Sequence, residues 1–280
     1  MKIERLNPLN DYLFLKYMGE KGDEEQLLAF LNAVLERTGK GEFASVEIIE
    51  NKSFLAEIIG DKSSILDVRA VMDDATKANV EVQLRNFRNM DKRILFYWCL
   101  EYAKGIKEGQ NYRALPNVIA INIIDFEYIQ AVDFHTSFHL WEDFQRDCLL
   151  TDVLEIHFID MVKFRRLKEK DIVNNPLHRW LTFFDKNTNN KILEEVINMD
   201  TAIQKAQDRI GFVGSSDEEL RFYQMRELGR MDYTNSMDFA RQEGEIAGLN
   251  KVARKMKQAG TPPSQIALFT GLSETEINKL

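Results

Sequence analysis

The sequence predicts an α/β fold, a mixed central sheet flanked by helices, with an all-helical region at the C-terminal end. Three observations carry this expectation. Two alternating apolar runs surround a polar turn between Ser64 and Arg85; a near-continuous apolar run from Pro116 to Phe126 follows a helical stretch; and beyond Pro176 the apolar spacing is helical throughout. Gly211-Phe212-Val213-Gly214-Ser215 is the expected break, giving a domain over residues 1–210 and a helical region over 215–280.

Composition narrows the class. The 280 residues carry a formal charge of −8, which argues against a general nucleic-acid coat, because nonspecific affinity comes from neutralising phosphates with Lys and Arg. Local basic islands remain at Arg85, Arg88, Lys92 and Arg93, at Lys163 to Lys170, and at Lys251 to Lys257, each of which also reads as a solvated face. No apolar run approaches the ~20 residues of a membrane span, and Met1 to Leu6 lacks the apolar core of a signal peptide, so a cytoplasmic protein with no membrane partner is expected. Cys99 and Cys148 fit no metal-ligand spacing and read as buried thiols.

In chain order, Asn10 and Gly19 bound a short helix carrying Leu13, Phe14 and Tyr17. Asp23 to Gln26 has the form of a capping box, and Leu27, Leu28, Phe30, Leu31, Val34 and Leu35 form the stripe of a second helix ended by Gly39. From Glu42 to Ile59 the pattern is strand-like, through Val46 and Ile48 and then Phe54, Leu55 and Ile58; Glu57 there is a candidate further acid. After the central hairpin, Asn89 to Lys107 is a helix with Ile94, Leu95, Trp98, Cys99 and Tyr102 on one face. The run from Pro116 to Phe126 is a strand buried on both sides, so strand, helix and strand make a parallel crossover. Phe134 to Trp141 and Leu154 to Phe164 extend the sheet. Ser216 to Glu219 is a further capping box, a second helix occupies much of Met237 to Ala259, and Pro262 to Ile277 reads as helix, Gly271 turn, helix. That last pair shows no row of base-reading side chains, which favours packing or homo-oligomerisation through the C-terminal helices over sequence-specific DNA reading.

The chemistry concentrates in the hairpin. Val80, Val82 and Leu84 point one way while Glu81, Gln83 and Arg85 point the other. A turn centred near Asp74 sets Asp67 opposite Glu81, and directly opposed residues share a face. Opposed carboxylates repel unless solvated or given a cation, and hard oxygens without His or Cys suit magnesium or manganese. Competing sites are weaker. His135 and His139 alternate with apolar neighbours as in a strand, which separates them by roughly 13 Å, so they do not form a zinc pair; His157 and His178 read as isolated. No nucleophile elbow, P-loop or dinucleotide-binding glycine motif is present.

At Asp67 and at Glu81-Val82-Gln83 the chain resembles the recombination-promoting nuclease and putative transposase family of the PD-(D/E)XK nuclease superfamily, with the E-x-K element in an E-x-Q form. The resemblance runs from the Asn7-Pro8-Leu9-Asn10-Asp11 opening to the C-terminal helices. It implies a restriction-endonuclease-like fold and a magnesium- or manganese-dependent endonuclease acting on DNA in recombination or transposition, with Asp67, Glu81 and the Val82 carbonyl as metal ligands and Gln83 in the third catalytic position. It maps the family's opening motif onto Asp11, Phe14 and Lys16, near the active site, and places Arg93 and Tyr97 where they could line the DNA groove. Gln83 carries no charge, so Arg85 or Lys16 is expected to supply it. The alternative is a nuclease-fold protein that cleaves weakly or not at all and acts as a DNA-binding or protein-interaction scaffold.

Overall fold

The computed structural model describes residues 5–40, 42–49, 67–145 and 147–280, with Asp67 described by its backbone alone. Phe54, Leu55, Glu57, Ile58, Ile59, Ile65 and Leu66 lie outside the described residues.

Caps and apolar stripes coincide at the first two helices. α1 (Asp11–Met18) starts at Asn10, whose side chain accepts the Leu13 N–H, and stops at Gly19. A Cβ at Gly19 would lie 2.9 Å from Val68 Cγ2, so the glycine lets α1 approach the sheet closely. α2 (Glu24–Leu35) begins after Asp23, but the expected capping box does not form, because the Gln26 side-chain amide donates to the Asp23 carboxylate instead. A 3₁₀ turn, Glu36–Thr38, then ends at Gly39 in the left-handed region, φ 69°.

The sheet comprises β1 (Val46–Ile48), β2 (Asp67–Met72), β3 (Lys77–Gln83), β4 (Val118–Ile124), β5 (His135–Trp141) and β6 (Leu149–Asp160). Their spatial order is β1-β2-β3-β4-β6-β5, with β3, β4 and β6 parallel and the other neighbours antiparallel. α3 (Met90–Ala103) provides the crossover between β3 and β4, and every residue of β4 is buried, as a central parallel strand requires. The strand expected to run to Phe164 ends at Asp160 instead. There the Asp160 side chain accepts the Lys163 N–H and caps a short helix, α4 (Met161–Arg165).

Each sheet face has its own core. Val68, Val80, Val82, Ile121 and Ile159 pack with α1 and α2, and with α5 (Pro176–Phe184), α6 (Asn190–Met199) and α7 (Thr201–Ser215). On the other face Met90, Ile94 and Trp98 of α3 cover Val118, Ala120, Ile156 and Phe158. The stripe of α3 is therefore i, i+4, i+8, and Leu95 and Cys99, expected to be buried, are exposed. Cys148 is exposed too, in the turn between β5 and β6, so neither thiol is a core residue.

Two helix boundaries also differ from the sequence expectation. α7 runs straight through Gly211 and Gly214, because burial of Ala202, Ile203, Ala206, Ile210 and Val213 outweighs the glycine propensity cost of about 1 kcal/mol each. The break falls at Ser216. Beyond it α8 (Asp217–Gln258) is one 42-residue helix, where two had been expected. The contacts divide the chain into two compact units, Met1–Arg226 and Glu227–Leu280, with the division inside α8. In the second unit α9 (Pro263–Thr270) and α10 (Glu274–Lys279) pack through Ile266 and Ile277 onto Ala253 and Met256. Gly271 makes the left-handed turn between them, and the Ser273–Glu276 capping box forms in full. No helix among the described residues is long and apolar enough to cross a membrane.

Trp180 sits at 0% exposure among the rings of Phe30, Phe183 and Phe184. Trp180→Ala is expected to cost about 3–5 kcal/mol of unfolding free energy in urea titrations. Trp180→Phe should cost less than half as much, since it keeps a ring and removes an indole N–H without a hydrogen-bond partner.

Candidate active site

The hairpin register places the acids. β2 and β3 pair with Asp67 opposite Glu81 and Val71 opposite Lys77, symmetrically about Asp74. Ala75, at φ 67°, completes the tight turn. β3 is two-faced: Ala78, Val80 and Val82 join the core beneath α1, whereas Asn79, Glu81 and Gln83 lie on the α3 side. Parallel pairing then sets Glu81 beside Asn122 of β4. The result is a polar strip on one face of the sheet, with α3 laid along it.

Glu81 and Gln83 are both buried, at 5% and 3% exposure. A buried carboxylate needs donors. The Gln83 amide donates to Glu81 Oε1, and Arg93 Nη2 from the first turn of α3 donates to the same oxygen at 3.1 Å. One turn further along, the Tyr97 ring lies against the Arg93 guanidinium, 5.5 Å from centroid to carbon. Arg69 of β2 pairs with Glu101 of α3 at 3.7 Å, so the strip alternates acid and base across the helix. Among the described residues no group of three His, Cys, Asp or Glu side chains could hold a metal ion. The backbone register sets Asp67 opposite the Glu81 carboxylate, and carboxylate oxygen is the donor type that suits a hard divalent cation of the magnesium or manganese class.

The other residues singled out by sequence do not all converge here. Val82 follows Glu81 on β3 with its side chain in the opposite core. Arg85 lies two residues beyond the end of β3 and is half-buried. Asp11 and Lys16 belong to α1, which packs on the face opposite Glu81. Asp11 accepts two hydrogen bonds from Arg226, and Lys16 pairs with Glu20 at 2.6 Å and Glu219 at 3.1 Å. Together with the hydrogen bond from the Tyr12 hydroxyl to Glu219, these contacts fasten the start of α8 to α1. The basic side chains after β6 are likewise engaged: Lys163 donates to the carbonyls of Ile129 and Ala131, and Arg165 pairs with Asp125.

A second polar cluster lies on the α1 face, at β5 and β6. His157, read from sequence as isolated, is the centre of a buried chain. Its Nε2–H donates to Glu155 at 2.8 Å, which leaves its Nδ1 to accept from His135 Nε2 at 2.8 Å. Lys40 Nζ pairs with the same Glu155 at 2.7 Å, and His139 Nε2 lies 3.8 Å from it. The register explains why spacing along the chain hid the cluster: Ser137 opposes His157, so His135 is its diagonal neighbour, and the pairing shifts between Phe138 and Leu140, at His139. Burial, and then the neighbouring His157, lower the His135 pKa to about 3. Burial alone would raise the Glu155 carboxyl, but hydrogen bonds from His157 and Lys40 hold it at about 2.

A family model described as "PD-(D/E)XK nuclease family transposase" matches residues 8–240, most of the chain. No curated protein and no solved structure matches.

The histidine cluster makes stability fall with acid. Between pH 6.5 and 3 the unfolded chain binds a proton at His135 that the folded chain does not, so this contribution is present above about 6.5 and shrinks on acidification. Glu155 adds the same sign at lower pH, its stabilisation present above about 4.5 and lost toward 2. Urea unfolding should show a decline approaching about 1.4 kcal/mol per pH unit below pH 6 from His135. His135→Gln should be less stable at pH 7 yet flatter between pH 6.5 and 4.5. Equal slopes in the two proteins would remove His135 as the cause.

Proposed function

The chain belongs to the PD-(D/E)XK nuclease family of transposases, and from that premise we propose that it is a metal-dependent endonuclease that hydrolyses DNA phosphodiester bonds. The observation that carries the reading is the strand register that opposes Asp67 and Glu81 on the face covered by α3. Asp67, Glu81 and the backbone carbonyl of Val82 are the groups that would hold the ion, Mg²⁺ or Mn²⁺. When bound, such an ion polarises a phosphoryl oxygen and lowers the pKa of water enough to yield a nucleophile at neutral pH.

The protein's own groups supply position and charge. Glu81 is held by donors from two directions, which fixes its carboxylate before substrate arrives. Gln83, in the third motif position, can orient water through its amide while contributing no charge. Arg93 and Tyr97 project from α3 over the strip, where a cation and an aromatic face suit a phosphate backbone and its bases. The uncharged Gln83 also supports a second reading, a protein that keeps the fold and binds DNA or a protein partner without cutting. As an endonuclease the protein acts in the cytoplasm on DNA, in recombination or transposition, and under both readings the region from residue 215 onward serves self-association.

Supercoiled plasmid separates the readings. With magnesium or manganese the wild type should nick or linearise it, while Asp67→Asn and Glu81→Gln should each cut at least about 10²-fold more slowly. Intact plasmid at high protein concentration, or equal cutting by all three proteins, would leave the scaffold. For self-association, Leu268 and Phe269 are 80% and 72% exposed on α9. Light scattering of a Leu268→Glu, Phe269→Glu variant should report a smaller assembly than wild type with cleavage kept; an unchanged mass would exclude this surface.

A further inference from the structure

We propose that Arg93 provides the positive charge that the third motif position lacks, donating to the phosphoryl oxygen on which negative charge develops as DNA is cut. The inference rests on the nuclease reading above. Gln83 and a lysine at that position would leave the same backbone atom on the same face as Glu81. The Gln83 amide reaches Glu81 Oε1 along the strand, and the Arg93 guanidinium reaches that same oxygen from α3, 3.1 Å away. A full cation therefore stands within hydrogen-bond distance of the group beside which a motif lysine would act, delivered by the helix instead of the strand.

Three features fit Arg93 to the role. Its side chain is 21% exposed, buried enough to be held in place and open enough to meet a ligand. The Tyr97 ring supports the guanidinium, so the charge does not have to be fixed by Glu81 alone. The guanidinium has further N–H donors in a planar fork that matches phosphate, and it keeps its charge at any pH the fold tolerates. The cations expected from sequence are less well placed. Lys16 is paired with Glu20 and Glu219 on α1, against the other sheet face, and Arg85 lies past the end of β3.

A charge that acts on phosphate has a different signature from one that merely steadies Glu81. If Arg93 only positioned the acid, Arg93→Ala would bind Mn²⁺ more weakly and excess metal would restore cutting. If it acts on phosphate, removing it also removes a competitor for Glu81, so Mn²⁺ should bind at least as tightly while cleavage falls by about 10²–10³-fold at saturating metal. The experiment measures plasmid cleavage, Mn²⁺ binding by calorimetry and thermal melting for wild type, Arg93→Ala, Arg93→Lys and the double variant Arg93→Ala, Gln83→Lys. The inference expects Arg93→Lys to keep part of the rate and the double variant to regain at least tenfold over Arg93→Ala, because a lysine on the strand replaces the charge lost from the helix. Arg93→Ala cutting within threefold of a wild type that cuts, or a defect cured by added Mn²⁺, would overturn this inference and leave the nuclease reading standing. A wild type that cuts nothing would overturn both.

Discussion

Two acids stand opposite one another in an antiparallel pair, and the rest of the molecule arranges itself to tolerate that. Directly opposed like charges destabilise a hairpin. Here the cost is accepted at Asp67 and Glu81 in the register of β2 and β3. On one side of β3, Ala78, Val80 and Val82 lock the strand into the larger core, so it cannot slip by one residue without turning those side chains out. On the other side, the first turns of α3 bring Arg93 to Glu81 while Ile94 and Trp98 seal the helix onto β4 and β6. The apolar packing holds the polar arrangement in place. Neither the buried carboxylate nor the guanidinium near it would be stable in that position alone.

Those parts of the fold that depend on local pattern were legible in the sequence. The turn centre at Asp74 follows from two alternating arms, and it alone sets Asp67 opposite Glu81. Asn10 and Gly19 bound the first helix as their chemistry dictates, and the unbroken apolar run of β4 marks a strand covered on both sides. What pattern could not supply is the partner of a side chain on a distant element. Arg93 meets Glu81 because α3 crosses back over the sheet, and Asp11 meets Arg226 across a sequence separation of 215 residues. His135 and His157 meet through a diagonal register across β5 and β6, which no spacing within either strand reveals.

Other departures have a common cause, local propensity yielding to packing. Gly211 and Gly214 suggest a break, but the buried stripe of α7 carries the helix past them. Leu95 and Cys99 have helical spacing, yet only one row of α3 faces the sheet, and Met90, Ile94 and Trp98 fill it. The end of β6 did leave a signal. Asp160, three residues before Lys163, is a helix cap, and reading it as one would have stopped the strand where it stops. The two sheet faces thus spend their polar residues differently: the α3 face sets buried Glu81 against the partly exposed Arg93 of the covering helix, whereas the α1 face buries a chain from Lys40 through Glu155 and His157 to His135.

The central claim is that Asp67 and Glu81 share one divalent ion. A crystal structure with Mn²⁺ bound, located by its anomalous scattering, addresses it without reference to any reaction. The account predicts a single peak within about 2.5 Å of carboxylate oxygens from both residues. Manganese seated elsewhere, or no bound ion with the two side chains on opposite sides of the sheet, would contradict it.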